Sequence, residues 1–181
     1  KNGDIYPQWL NINGVFDGKG VLVNFVATFT DITQRKVAEE AIRRLAFYDP
    51  LTQLPNRRLL MDRLNQSLAA SARTGQTGAL LFIDLDDFKR VNDTLGHEEG
   101  DEVLNQLALR VKNVLDQQGL PGSQVARFSG DEFILLYMQS DIRNAVNDLA
   151  EALLQEIRKP LNMQGNPLYL TASIGMTLFP F

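Results

Sequence analysis

Five apolar residues, Ala79-Leu80-Leu81-Phe82-Ile83, run without interruption into the acids of Asp84-Leu85-Asp86-Asp87. A run that short and that apolar reads as a buried central strand. Its end in carboxylates carries those acids to the edge of a sheet, into solvent or a cleft. Strand alternation puts Asp84 and Asp86 on one face. A second acidic pair, Asp131-Glu132, lies in the short loop Ser129-Gly130-Asp131-Glu132. That loop joins two strand-like runs, residues 125–128 and 133–138, in a hairpin. Where such a hairpin neighbours the first strand, its carboxylates approach Asp84. Clustered carboxylates repel one another without a cation. The chain has one histidine and no cysteine, so the ligands on offer are hard oxygens, which suit Mg²⁺. Mg²⁺ shares its coordination with substrate phosphates. The residues alone leave two readings open: solvated acidic turns, or a Mg²⁺–nucleotide site.

Around these acids the pattern is that of an α/β domain. Residues 57–73 read as a helix with Leu59, Leu60, Leu64 and Leu68 on one side. Residues 88–95 read as a short helix ended by Gly96. Residues 101–117 form a longer one with Val103, Leu104, Leu107, Val111 and Leu115 on its core face. Residues 142–158 are a further amphipathic helix stopped by Pro160, and residues 168–178 a final strand paired at an edge. This order favours helices packed against a largely antiparallel sheet.

The amino-terminal quarter differs. Ile5, Tyr6, Trp9, Leu10, Ile12 and Val15 alternate with polar residues, Phe16-Asp17-Gly18-Lys19-Gly20 supplies turn chemistry, and residues 21–30 are rich in β-branched and aromatic side chains. This is a β-hairpin, and a lone hairpin must pack on something. Asp31 and Gln34 resemble a capping box opening an amphipathic helix. Ala38, Ala41, Ile42 and Leu45 give it a narrow apolar stripe, which suits either its own domain or a twin helix in a dimer.

The net charge of −4 removes the basic footprint of a nucleic-acid binder. No apolar run approaches the roughly 20 residues of a membrane helix. The absence of cysteine rules out disulfides and fits a reducing compartment.

Several blocks together carry a family resemblance: Asp49-Pro50-Leu51-Thr52-Gln53-Leu54-Pro55-Asn56-Arg57; Asp84-Leu85-Asp86-Asp87-Phe88-Lys89-Arg90-Val91-Asn92-Asp93; Gly96-His97-Glu98-Glu99-Gly100-Asp101; Arg127-Phe128-Ser129-Gly130-Asp131-Glu132-Phe133; and Ser173-Ile174-Gly175-Met176. In this order they resemble the GGDEF domain of diguanylate cyclases, over residues 48–181. Residues 1–32, with Asn2-Gly3-Asp4, Gly18-Lys19-Gly20 and the exit Asp31-Ile32-Thr33-Gln34-Arg35-Lys36, resemble the end of a PAS domain, and residues 33–47 a signalling linker helix.

The resemblance implies a polymerase-palm-like (ferredoxin-like) α/β fold that condenses two GTP into cyclic di-GMP with Mg²⁺ or Mn²⁺. It implies metal ligands at Asp84, the Leu85 carbonyl and Asp131, and Glu132 beside them. It implies Asp131 and Glu132 as the catalytic acids. Asn92 and Asp101 would hydrogen-bond the guanine. Phe88, Lys89, Ser129 and Gly130 would line the phosphate end, and His97 would be a turn residue. The partners implied are GTP and a second copy, since catalysis needs a homodimer, with an EAL phosphodiesterase domain as neighbour and a cytoplasmic setting. No nucleic acid or membrane contact is expected of this chain. The alternative is a weak or inactive GTP-binding domain that regulates the EAL neighbour. Two departures stand out. Ser129 replaces a glycine where φ > 0 is expected, at a cost of roughly 1 kcal/mol. Leu120-Pro121-Gly122-Ser123 stands where the family's inhibitory R-x-x-D element would be, so that site is expected to be absent. Family members continue past the position of Phe181 into a helix whose lysine and arginine serve the triphosphate.

Overall fold

The computed structural model describes residues 5–120, 122–139 and 142–180. Asn2-Gly3-Asp4, Pro121 and Phe181, which enter the expectations above, lie outside the described residues. The chain divides into two compact bodies, Lys1–Ala46 and Phe47–Phe181.

In the first body, β1 (Gln8–Phe16) and β2 (Leu22–Asp31) form the expected antiparallel hairpin, in register from Gln8↔Asp31 to Val15↔Asn24. Its turn is held by Asp17, whose Oδ1 accepts from the N–H groups of Lys19 (2.8 Å) and Val21 (2.9 Å). Trp9, Ile12, Phe16, Phe25 and Phe29 are all exposed. The helix α1 (Thr33–Phe47) follows. Asp31 Oδ1 starts it by accepting from the Thr33 N–H (2.8 Å) and hydroxyl (2.6 Å). The ion pairs Arg35–Glu39 and Arg44–Glu40, each four residues apart, brace α1.

The second body is built on a four-stranded, wholly antiparallel sheet in the order β4-β5-β3-β8, made of β3 (Thr77–Leu85), β4 (Gln124–Ser129), β5 (Glu132–Gln139) and β8 (Ala172–Phe179). The acidic strand β3 is central, as expected, and the hairpin β4–β5 is its neighbour, which meets the condition for its acids to approach Asp84. Strand alternation divides the core. Ala79, Leu81, Ile83 and Leu85 of β3, with Phe133, Leu135 and Tyr137 of β5, pack with α4 (His97–Gln117) and α5 (Ile142–Arg158). Ile134, Leu136, Ala126 and Phe179 pack on the opposite face with Leu60 of α2 (Arg57–Thr74). Helices on both faces are why β3 reads as a continuous apolar run. One residue of that run departs from burial: Phe82 is 47% exposed.

Three local expectations shift. In α2 the inward stripe is Leu60, Leu64, Ser67 and Ser71, whereas Leu68 is exposed. Ser71 is buried because its hydroxyl donates to the Gln76 carbonyl (2.5 Å) beyond the helix end. The helix expected from Asp101 begins four residues earlier, at His97. Gly96, at φ 92° and ψ 164°, separates it from α3 (Phe88–Leu95), and Glu98 and Glu99 favour its amino-terminal dipole. The expected strand over residues 168–178 splits: β7 (Asn166–Leu168) pairs with β6 (Leu161–Met163) in a small hairpin, and only Ala172–Phe179 joins the main sheet.

Candidate nucleotide site

The acids of β3 and β5 meet at one end of the sheet. Asp84 is the cross-strand partner of Glu132 on one side and of Ser173 on the other. Residues directly opposite on an antiparallel pair share a face, with Cβ atoms about 5 Å apart. Asp84 and Glu132 are both exposed, and like charges so placed repel. A cation is the natural complement, so this pair fits the Mg²⁺ or Mn²⁺ that the resemblance implies. Among the described residues no three His, Asp or Glu side chains close a metal site by themselves. Further oxygens would come from phosphates or water, as is usual for Mg²⁺.

Asp86 does not join them. Its Oδ2 accepts from the Thr171 hydroxyl (2.6 Å) and its Oδ1 from the Ser173 hydroxyl (2.8 Å), while its N–H donates to the Thr171 carbonyl (3.0 Å). The two hydroxyl bonds, Thr171 first, hold its carboxyl below the usual aspartate value. Asp86 therefore ties the acidic end of β3 to the start of β8. Asp87 follows in the left-handed region, φ 54°, and re-aims the chain into α3.

A cleft of about 400 Å³ opens between α3, α4 and the tip of the β4–β5 hairpin. Of the anticipated residues it gathers Phe88, Lys89, Asn92, Asp101, Gly130 and Asp131, with His97 at its rim. Asp84, Leu85, Ser129 and Glu132 do not line it, and the Leu85 side chain is core. Phe88, only 7% exposed, belongs to the hydrophobic core as much as to the cleft floor. Lys89 and Asp101 are exposed, and Asn92 is half-buried.

The hairpin tip departs from expectation. Ser129 ends β4 and is not among the residues with positive φ; Gly130, at φ 44°, makes the left-handed turn. The strain expected at Ser129 is therefore absent, because the bulge between Arg127 and Ser129 passes the conformational demand to Gly130.

Sequence reasoning assigned no role to Arg127, although it lines the cleft. Its Nε donates to the Gly130 carbonyl (2.9 Å), holding the tip, and its Nη1 donates to both Asp49 oxygens (3.1 and 3.3 Å). Asp49 also accepts from the Thr52 N–H and hydroxyl, each at 2.8 Å. Burial alone would push the Asp49 carboxyl up; the Thr52 and Arg127 hydrogen bonds outweigh it and hold the pKa below 3.8. The signal was an arginine inside the apolar strand Val125-Ala126-Arg127-Phe128, which requires a carboxylate nearby. A second groove of about 660 Å³ lies on the other side of the tip, with Arg57, Arg58 and Met61 opposite Phe128 and Ser129.

Comparison with known proteins identifies the family. The family model described as "Diguanylate cyclase, GGDEF domain" matches residues 46–181. The bifunctional diguanylate cyclase/cyclic di-GMP phosphodiesterase MucR of Pseudomonas aeruginosa is 41% identical over 144 residues, which are 79% of this chain and 20% of MucR. The cyclic di-GMP phosphodiesterase NbdA of the same organism is 37% identical over 149 residues, 82% of this chain and 18% of NbdA. The chain thus spans about a fifth of the length of these curated relatives. Among solved structures, the coiled coil and GGDEF domain of DgcB from Caulobacter crescentus, in complex with c-di-GMP, superposes with a TM-score of 0.73 at 27% identity. That match covers 82% of this chain and 78% of that one. With a family model matched over more than half its length, this chain belongs to the GGDEF family, the domain family of the diguanylate cyclases.

Proposed function

We propose that the protein condenses two GTP molecules into cyclic di-GMP, releasing two pyrophosphates. The observation that carries this reading is the cross-strand opposition of Asp84 and Glu132, next in the chain to the Asp131 that faces Asn92 and Asp101 across the cleft. Asp101 accepts from the guanine N1 and N2 hydrogens, and Asn92 pairs another base edge. Lys89 neutralises phosphate charge, and Gly130 lets the backbone approach the phosphates. Asp84, the Leu85 carbonyl and Asp131, with Glu132 beside them, would hold a Mg²⁺ or Mn²⁺, which would add charge neutralisation and acidify the attacking hydroxyl. The 3′ oxygen of each GTP forms a bond to the α-phosphorus of the other, its proton leaves, and the bond to pyrophosphate breaks. Because the product is two-fold symmetric, two domains must face each other. Residues 1–32 then read as the end of a PAS sensor, with α1 as the linker that sets the pairing, in a cytoplasmic protein.

A second reading is a GTP-binding domain that regulates a neighbouring EAL phosphodiesterase. It is favoured by Ser129 in the naming motif and by the likeness to NbdA, whose name records only the hydrolytic activity. Chromatography of the intact protein with GTP and Mg²⁺, beside an Asp131→Ala control, separates the two. Cyclic di-GMP that disappears in the control supports the cyclase. Unchanged GTP, in a folded sample that still binds it, supports the regulator.

A further inference from the structure

Gly100 lies in the first turns of α4, where glycine costs about 1 kcal/mol relative to alanine. Its backbone does not repay that cost with a left-handed conformation, since its φ is not positive. Its neighbour Gly96 has positive φ and open space around it; Gly100 is the reverse. A Cβ at Gly100 would overlap the Asn92 amide oxygen and stand 3.0 Å from Asn92 Cγ, while the next neighbour, Phe88 Cζ, would be at an ordinary 3.4 Å. The missing side chain is thus the space that the Asn92 amide fills.

The surrounding helices cannot move apart to absorb an added methyl. Phe88 and Val91 anchor α3 in the core, and Val103, Leu104 and Leu107 anchor α4. The Gly96 N–H donates to the Asn92 carbonyl (2.9 Å) and the Gly100 N–H to the Gly96 carbonyl (3.1 Å), stitching the two helices at this point. The Asn92 side chain is what would move.

We propose that Gly100 is a positioning residue for base selection: its lack of a side chain sets the Asn92 amide in the cleft, and any Cβ there turns the amide away from the nucleotide base. The inference rests on the reading of Asn92 as a base contact. The three atoms nearest the added Cβ belong to Asn92 and Phe88 and not to Lys89 or Asp131, so phosphate and cation binding remain. The consequence is weaker discrimination between guanine and adenine, with Asp101 alone left to read the base, because a site built to hydrogen-bond a base edge rejects the base that mismatches it.

The test is displacement of a fluorescent GTP analogue by unlabelled GTP or ATP, with Mg²⁺, on the intact protein and three variants: Gly100→Ala, Asn92→Ala and the double variant. Expected for Gly100→Ala is a loss of GTP affinity of about tenfold or more with ATP affinity unchanged. On the Asn92→Ala background, adding Gly100→Ala should cost nothing further. A GTP preference undiminished in Gly100→Ala, or additive losses in the double variant, would overturn the positioning role and leave the Asn92 reading intact. An Asn92→Ala variant with unaltered GTP preference would overturn both. Should Gly100→Ala fail to fold, recovery of folding in the double variant supports the proposal. A double variant that also fails to fold overturns it.

Discussion

Replacing Asp49 by alanine removes one carboxylate that accepts four hydrogen-bond contacts: two from Thr52 and two from Arg127. Its side chain is 17% exposed and that of Arg127 15%, so the pair lies between the surface and the interior. Exposed ion pairs contribute about 0–1 kcal/mol, and breaking a fully buried one costs about 3–5 kcal/mol. Arg127 keeps the Gly130 carbonyl as a partner, which softens the loss. The expected cost of Asp49→Ala is about 2–3 kcal/mol, or a fall in Tm of about 6–12 °C for the body that holds the sheet. Asp49→Asn, which can still accept from Thr52, should lose about half as much. Since the folded-state pKa of Asp49 lies below its ordinary 3.8, the carboxylate stabilises fully at pH values above 3.8 and progressively less as pH falls through the lowered value. Thermal unfolding by circular dichroism should therefore show a constant gap between wild type and Asp49→Asn from pH 7 to about 5, closing below about 4. A gap that persists to pH 2, or an Asp49→Ala Tm within about 2 °C of wild type, would refute the assignment of this pair as a main tie of the hairpin tip.

Arg110 donates to the carbonyls of Glu156 (3.2 Å), Lys159 (2.5 Å) and Pro160 (2.7 Å), closing the carboxyl end of α5. Arg110→Ala should cost about 1–3 kcal/mol in urea unfolding, with Arg110→Lys recovering only part. At Gly78 a Cβ would stand closer than 3.0 Å to both the Phe179 ring and Met138 Sδ, so Gly78→Ala should destabilise by about 1–3 kcal/mol, read as a lower urea midpoint. Ser129→Gly relieves no strain, because Ser129 is not left-handed; its stability should stay within about 0.5 kcal/mol of wild type, and a gain of 1 kcal/mol would contradict that conformation.

The elements with one strong period were legible in the sequence. The stripe Val103, Leu104, Leu107, Val111 and Leu115 predicts the buried face of α4, and the apolar run into Asp84 predicts a central strand ending at the site. What escaped were features decided by partners outside the element or by elements too short to show a period. Leu68 fits the helical period as well as Ser71 does, yet the Gln76 carbonyl makes Ser71 the buried one. The small hairpin β6–β7 has strands of three residues each, too short to show any period. Alternation places Asp86 beside Asp84 but is silent on Thr171 and Ser173, which bind Asp86 from 85 and 87 residues away. The cleft could be assembled only by resemblance, since Asn92, Asp101 and Asp131 sit on three elements whose docking no local pattern reveals.

That remote tie through Asp86 has a consequence for synthesis. Strand β3 leaves the ribosome long before β8, its neighbour in the sheet, and 87 residues separate Asp86 from Ser173. At about 5–20 residues per second, that is roughly 4–17 seconds during which one edge of the central strand has no partner and Asp86 no latch. An open, apolar strand edge in a nascent chain is a template for wrong pairing. The proposed nucleotide site, whose acids hang on that strand, is thus completed only after residue 173 has been made. If the proposed function holds, nascent chains stalled before residue 172 should neither bind GTP nor gain stability from it.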